Sequence, residues 1–146
     1  MTRKEKAQKV FLTTNCAQAV VGAFSDLLGV DEAAALRLTS GFGTGVGGLQ
    51  LTCGAVVGGA VVLGGVYADE TGANKAEVKE RTREFAQAFE QAQHSLLCSD
   101  LLPQAFAMRD PNLPGRPCLR YVWSAVELLT QLLGVSEDFP ESPDHT

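Results

Sequence analysis

Hydrophobic residues recur at three- and four-residue steps along most of the chain, which is the spacing of one face of an α-helix. The clearest early segment follows Asn15, a good N-cap residue, and ends before Gly29, which tolerates the left-handed end of a helix. Its apolar positions are Ala17, Val20, Val21, Phe24, Leu27 and Leu28. A short charged helix over residues 2–12 precedes it, and Asp31 is expected to cap another helix that closes by Gly41.

The second half of the chain carries two longer amphipathic patterns. Residues 75–93 place apolar and charged side chains on opposite faces, which is typical of a helix that covers a core. The last pattern begins at Pro117, a residue suited to the first position of a helix, and ends at Gly134. Between these two, Cys98 starts a short helical turn that Pro103 is expected to end.

Residues 40–68 contain no charge and are rich in glycine. The glycines of residues 41–48 predict a loop, because glycine loses more backbone entropy on ordering than any other residue. Residues 52–66 predict a central helix, capped by its threonine, with Cys53 in its first turn. A strand over residues 61–67 stays open, since a short apolar run does not separate the two structures.

These patterns together predict an all-α fold with a central glycine-rich helix that bears Cys53. The length of 146 residues is enough for one hydrophobic core and short for two. We therefore expect a single helical domain over residues 1–135. Residues 136–146 are acidic and carry prolines, which predicts a disordered tail.

Composition limits the classes of function. The net charge of -5 and the pI near 5.0 argue against nucleic acid or an anionic membrane surface as a partner, because phosphate contacts need clustered Lys and Arg. No secretory leader pattern follows the basic start, so we expect a cytoplasmic protein. The uncharged segment is long enough for a membrane span. Its glycines and hydroxyl residues, and a mean hydropathy of +0.04 for the chain, do not favour one.

The candidate chemistry lies in the cysteines. Cytosolic thiols rarely form standing disulfides, so metal, cluster or redox roles are open beside inert packing. On the predicted elements, three of the cysteines lie in the first turn of a helix and the remaining one at or just before another. A helix N-terminus carries partial positive charge, which stabilises a thiolate and lowers its pKa. The four residues are Cys16, Cys53, Cys98 and Cys118.

The spacing of the cysteines excludes the familiar local motifs. No CxxC pair is present, which argues against a zinc ribbon and a thioredoxin-type site. Only the fold can bring the thiols together. Four thiolates suit an iron-sulfur cluster or zinc, and the spacing does not choose between them. Sulfur atoms within about 4–7 Å of one another around a shared void would favour ligation. Four separate buried thiols would count against both ligation and thiol-disulfide chemistry.

Three stretches and two isolated cysteines carry a resemblance. The stretches are Asn15-Cys16-Ala17-Gln18, Ser40-Gly41-Phe42-Gly43 and Cys53-Gly54-Ala55-Val56-Val57-Gly58, and the isolated cysteines are Cys98 and Cys118. Over about residues 10–134 the chain resembles the C_GCAxxG_C_C family of small redox-active proteins. Thr13 is a departure, since similar sequences tend to have glycine there.

The resemblance implies an all-helical domain in which the four cysteines are metal ligands or redox thiols. An iron-sulfur cluster is the cofactor it implies, and zinc is the alternative. It also implies a supporting set of residues, in which the glycines allow close packing at the site. That set is Asn15, Gly54, Gly58 and Lys75.

Our first hypothesis is electron transfer or redox sensing by an iron-sulfur cluster bound to the four cysteines. The alternatives are a metal-free thiol-disulfide redox protein and a non-catalytic interaction domain with inert buried cysteines. We expect a redox partner protein and no nucleic acid. Whether the protein is an enzyme or a homo-oligomer is left open.

Two weaker sequence motifs suggest other chemistry, and both are discounted. Gly43-x-Gly45-x-x-Gly48, with Asp69 further on, matches a dinucleotide fingerprint, but the segment before it is helical in pattern where that fingerprint needs a strand. His94 lies four residues before Cys98, yet a lone histidine at a helix end is more often a solvated cap than a ligand.

Overall fold

A computed structural model describes residues 1–112 and 116–141. Within these ranges the fold is all-α, as the hydrophobic spacing predicted, with seven α-helices and no strand. Two short 3₁₀ turns, Ser25–Leu27 and Ser40–Phe42, follow the second and third helices. The helices are α1 (Arg3–Phe11), α2 (Cys16–Ala23), α3 (Glu32–Leu38), α4 (Gly54–Tyr67), α5 (Lys75–Gln93), α6 (Cys98–Ala107) and α7 (Leu119–Leu133).

Side-chain caps begin the first three helices. The side chain of Asn15 accepts from the Gln18 N–H at 2.8 Å, and the Gln18 side chain accepts from the Asn15 N–H at 3.0 Å. Asp31 accepts from the N–H of Ala34 at 3.3 Å at the start of α3. These bonds satisfy N–H groups that have no partner inside a helix, which confirms the predicted starts of α2 and α3.

Helix α4 packs against α2, α5 and α7, and its glycines allow the close approach. A Cβ on Gly58 would lie 2.7 Å from the carbonyl oxygen of Ala17 in α2. Gly59 faces the ring of Phe85 in α5 in the same way. The core around these contacts is rich in aromatic side chains, namely Phe11, Phe24, Phe85, Phe89 and Tyr121. The prediction of a central glycine-rich helix is confirmed.

Several predicted boundaries were wrong. Pro103 does not end its helix, because α6 continues to Ala107 with Leu101 and Ala105 buried against the core on either side of the proline. The cap of α4 is Cys53, not Thr52, which instead forms an antiparallel bridge with Leu97.

Three further boundaries differ from the prediction. Helix α2 ends at Ala23, and a 3₁₀ turn precedes Gly29. Helix α7 begins after Cys118, with Pro117 in the preceding turn. Residues 61–67 are helical, so the strand interpretation is excluded.

The first residues of the predicted tail pair with the start of α1. The N–H of Arg3 donates to the Glu137 carbonyl at 2.8 Å, and the N–H of Phe139 donates to the Met1 carbonyl at 3.0 Å. The arginine side chain also donates to the Ser136 carbonyl. Residues 142–146 lie outside the described part, and the division into domain and tail stays a prediction. No helix of the described residues is both long and apolar enough to cross a membrane.

Candidate functional site

The four cysteines line one cavity of about 360 Å³. Each stands at the start of a helix, as predicted: Cys16 and Cys98 are the first residues of α2 and α6, and Cys53 and Cys118 are the N-caps of α4 and α7. All four are free thiols. A void lined by all four cysteines at the starts of four helices is therefore present, but among the described residues the cysteines are not clustered as a metal site requires.

Close packing of α2 and α4 brings the first two cysteines to the same wall. A Cβ on Gly54 would lie 3.1 Å from the Cβ of Cys16, so the absence of a side chain there lets the start of α2 lie on the start of α4. Asn15 connects this wall to the residues just before the glycine loop (residues 41–50). Its side-chain amide donates to the carbonyls of Thr39 and Ser40 at 3.3 and 3.1 Å.

A short antiparallel pairing of residues 51–53 with residues 96–98 places Cys98 beside Cys53. The N–H of Cys53 donates to the Leu96 carbonyl at 2.8 Å, and the N–H of Cys98 donates to the Leu51 carbonyl at 2.7 Å. Side chains alternate across extended backbone, so the two cysteines share the face opposite to Leu97. Leu97 is 47% exposed, whereas both cysteines are buried. This difference agrees with a pairing in which the two thiols face the cavity and Leu97 faces solvent.

The glycine loop lines one side of the cavity, and several of its residues have left-handed backbone angles. Thr44, Val46 and Gln50 have φ angles of 46°, 64° and 54°, a region that costs an L-residue roughly 1–2 kcal/mol. Gly45 is the point of closest approach, because a Cβ there would lie 2.7 Å from the Cβ of Cys98. A loop was predicted at this place, but the pattern gave no sign of the three left-handed non-glycine residues.

Cys16 and Cys118 both line this cavity, and their interaction shifts the two pKa values in opposite directions. The interaction with Cys16 lowers the pKa of Cys118, and the guanidinium of Arg116 lowers it further. The interaction with Cys118 holds the proton on Cys16, and with burial it raises the pKa of Cys16 well above its ordinary value. The pair therefore resolves into a thiolate-prone Cys118 and a protonated Cys16.

The other two cysteines, Cys53 and Cys98, have little tendency to ionise to thiolates. Burial raises the pKa of Cys53 from 9.0 to about 11, although the N–H groups of Ala55 and Val56 partly offset it. Burial also raises the pKa of Cys98. The expectation that a helix N-terminus lowers the pKa of each cysteine was therefore wrong at three of them. The interaction with Cys118, and then burial, outweighs the helix end at Cys16, and desolvation outweighs it at Cys53 and Cys98.

Arg116 is a site residue that the sequence analysis missed. Its Nη1 donates to the carbonyls of Phe11 and Thr14 at 3.0 and 2.7 Å, and its guanidinium lies 4.0 Å above the Phe11 ring. It lines the same cavity as the thiol pair. The available signal was an arginine two residues before a cysteine in a proline-rich connection.

The cysteines do not form a ready metal centre. As far as the structure describes the chain, the lining of the cavity offers four soft sulfur donors and no histidine or carboxylate, which is the donor chemistry of an iron-sulfur or zinc site. Among residues 1–112 and 116–141, however, no group of three or more His, Cys, Asp or Glu is arranged to hold a metal ion. The donor types fit such a group, but their arrangement does not.

The remaining predicted residues fall inside and outside the cavity. Asn15 and Gly54 line it, and Gly58 lies one helical turn further along the contact of α4 with α2. Lys75 is exposed at the first residue of α5 and is not part of the lining. His94 is the exposed left-handed C-cap of α5, the solvated role expected for it.

The dinucleotide fingerprint lacks its required context. A helix and a 3₁₀ turn precede its glycines, where the fingerprint needs a strand, and the described residues contain no strand.

Comparison with known proteins agrees with the cysteine pattern. The model of a family described as "Putative redox-active protein (C_GCAxxG_C_C)" matches residues 14–132. This range holds all four cysteines and the helices that present them. No curated protein and no solved structure shows significant similarity to the chain.

Proposed function

Because this chain belongs to the C_GCAxxG_C_C family of redox-active proteins, we propose that it exchanges electrons through a dithiol pair, with Cys118 as the attacking thiolate and Cys16 as the resolving thiol. The observation that carries the proposal is that the two thiols line one cavity with Arg116, where their interaction lowers the pKa of Cys118 and raises that of Cys16. A thiolate is the nucleophile in thiol-disulfide exchange, and Cys118 alone among the four has a lowered pKa.

The exchange balances with a disulfide as the oxidant. The Cys118 thiolate attacks one sulfur of a disulfide carried by a partner protein or a small molecule, and one partner thiolate leaves. Cys16 then loses its proton and attacks the Sγ atom of Cys118, which releases the second partner thiolate. The partner gains two electrons, and the chain holds a disulfide between Cys16 and Cys118. The reverse sequence reduces the chain.

The neighbouring residues support this division of roles. Arg116 favours the thiolate on Cys118, and burial keeps Cys53 and Cys98 protonated, so neither competes well as a nucleophile. The pair would rest as free thiols in a reducing compartment such as the cytoplasm.

The second candidate is an iron-sulfur protein, and the gathering of four thiols at one cavity favours it. A cluster bound there would supply a one-electron couple for electron transfer or sensing. Cys16, Cys53, Cys98 and Cys118 would be its ligands, and their sulfur atoms would have to move closer together. A zinc site would demand the same movement.

One experiment tests both candidates. Protein purified without oxygen is assayed for iron, sulfide, zinc and free thiols, then exposed to glutathione disulfide and weighed by intact-mass spectrometry. We expect metal-free protein that loses the mass of two hydrogen atoms as wild type and as Cys98→Ser. We expect Cys118→Ser to form no such disulfide. Iron with sulfide, and a visible absorption band that Cys53→Ser abolishes, would reject the dithiol proposal in favour of the cluster.

A further inference from the structure

Cys118 lies within electrostatic reach of every other cysteine. Its charge raises the pKa of Cys16, Cys53 and Cys98. A thiolate surrounded by three thiols has three candidate resolving partners. Something in the fold has to select one of them if the exchange is to give a single product.

Arg116 links the two chain segments that carry Cys118 and Cys16. It stands two residues before Cys118, and its Nη1 donates to the carbonyls of Phe11 and Thr14 in the connection that leads to Cys16. The residues that the second bond joins, Arg116 and Thr14, are 102 positions apart in sequence. The guanidinium carbon also lies 4.0 Å from the centroid of the Phe11 ring, so Arg116 contacts this part of the chain through the ring as well as through two carbonyls.

We propose that Arg116 is the positioning residue that selects Cys16 as the resolving partner of Cys118. It holds the start of α7 against the connection between α1 and α2, and so keeps the two thiols together at the cavity. The hydroxyl of Tyr121, three residues after Cys118, donates to the carbonyl of Leu101 in α6 at 2.6 Å, so α7 is also tied to the helix that begins at Cys98. The Arg116 bonds differ because they join the segments that lead directly into Cys118 and Cys16. The role rests on the proposed dithiol exchange, since without that exchange there is no partner to select.

Arg116 is suited to a direct test because it is exposed at the edge of the cavity. Its replacement removes the link without opening the core. Arg116→Gln removes the charge and the stacking face, whereas Arg116→Lys keeps a cation that can still donate to the carbonyls. Arg109→Gln is the matched control, because it removes another exposed guanidinium from the connection between α6 and α7.

The measurement is the resolution of a mixed disulfide. Each variant reacts with glutathione disulfide, the reaction is quenched by acid at intervals, and peptide mass spectrometry measures the glutathione adduct on Cys118 and the partner of each new disulfide. Cys118 attacks and one glutathione leaves; the resolving thiol then attacks Cys118 Sγ and the second glutathione leaves. Far-ultraviolet circular dichroism checks that each variant is folded.

We expect wild type and Arg109→Gln to resolve the adduct through Cys16. In Arg116→Gln resolution should slow by about tenfold, because a displacement of the order of an ångström costs a reaction of this kind one to two orders of magnitude. Cys53 and Cys98 should then appear among the partners of Cys118. Arg116→Lys should fall between these rates and restore the pairing with Cys16.

Wild-type rates and wild-type pairing in both Arg116 variants would overturn the positioning role. If only Arg116→Lys folds, its rate decides alone, and a rate equal to that of wild type overturns the inference. A wild-type protein that forms no adduct and no disulfide would reject the proposed function itself. The two failures are therefore distinguishable.

Discussion

Gly58 and Gly64 lie on the same helix, and alanine should change the stability of the protein in opposite directions at the two positions. A Cβ on Gly58 would lie 2.7 Å from the Ala17 carbonyl oxygen, 3.0 Å from the Ala17 Cα and 3.1 Å from the Val20 Cβ. Two of these atoms belong to the backbone of α2, which cannot turn aside as a flexible side chain can. A Cβ on Gly64 would meet nothing within 4 Å.

The size of the difference follows from two opposing terms. Alanine is favoured over glycine inside a helix by about 1 kcal/mol, and this gain applies at both positions. Forcing an extra methyl group into a packed contact costs roughly 1–3 kcal/mol. Because rigid backbone opposes the methyl group, its cost should lie in the upper half of that range. After the helix gain is subtracted, Gly58→Ala should lower the free energy of unfolding by about 1–2 kcal/mol. Gly64→Ala should raise it by up to about 1 kcal/mol.

The assay is urea unfolding of both variants and wild type, followed by far-ultraviolet circular dichroism. Because α2 carries Cys16 and α4 carries Cys53, Gly58→Ala should also slow the formation of the disulfide with Cys118, whereas Gly64→Ala should leave it unchanged. Equal stability of the two variants would show that the Ala17 backbone does not lie against Gly58. It would also contradict the close packing of α2 on α4 that brings Cys16 and Cys53 to the same wall.

Three further predictions concern other parts of the molecule. The raised pKa of Cys53 implies that the unfolded thiol ionises from pH 9 while the folded one stays protonated to about pH 11. The free energy of unfolding should therefore fall over that window by about 2–3 kcal/mol more in wild type than in Cys53→Ala, and parallel pH profiles would contradict this. Val46→Gly should stabilise the protein by about 0.5–1 kcal/mol, since it relieves a β-branched residue at φ 64°. Leu49→Gly, at an ordinary φ, is its control, and a loss of stability in Val46→Gly would refute the strain. Arg3, 3% exposed, is paired with Asp26 at 2.7 Å, so Arg3→Met should cost roughly 3–5 kcal/mol. Lys4→Met breaks the exposed pair with Glu127 and a contact at 5.9 Å with the Trp123 ring, and it should cost under about 1 kcal/mol. Similar costs for the two variants would count against a structural role for Arg3.

Local sequence signals predicted the helical elements well. Asn15 and Asp31 cap helices because their side chains bond to nearby backbone, an interaction that needs no knowledge of the rest of the fold. Gly134 ends α7 at φ 65°, and α5 covers the predicted residues 75–93. Pro103 misled the prediction because burial of its neighbours in α6 is a tertiary effect that a local rule does not contain.

The positions of the cysteines at helix starts were predictable, and the directions of their pKa shifts were not. The positions of the cysteines at helix starts follow from local pattern, and the resemblance grouped them. The pKa directions do not, because they depend on burial and on the interaction between Cys16 and Cys118, residues that are far apart in sequence. Arg116 was missed for the same reason, since its bonds reach the opposite end of the chain.

The most direct test of the central claim is equilibrium oxidation of the wild-type protein in a series of glutathione redox buffers, with acid quenching and peptide mapping of every disulfide. We expect one two-electron transition, and we expect the peptides that contain Cys16 and Cys118 to be the pair joined through it. Cys53 and Cys98 should remain free thiols across the transition. A disulfide that joins any other pair, or four thiols that stay reduced in the most oxidising buffer, would contradict the assignment of the redox pair.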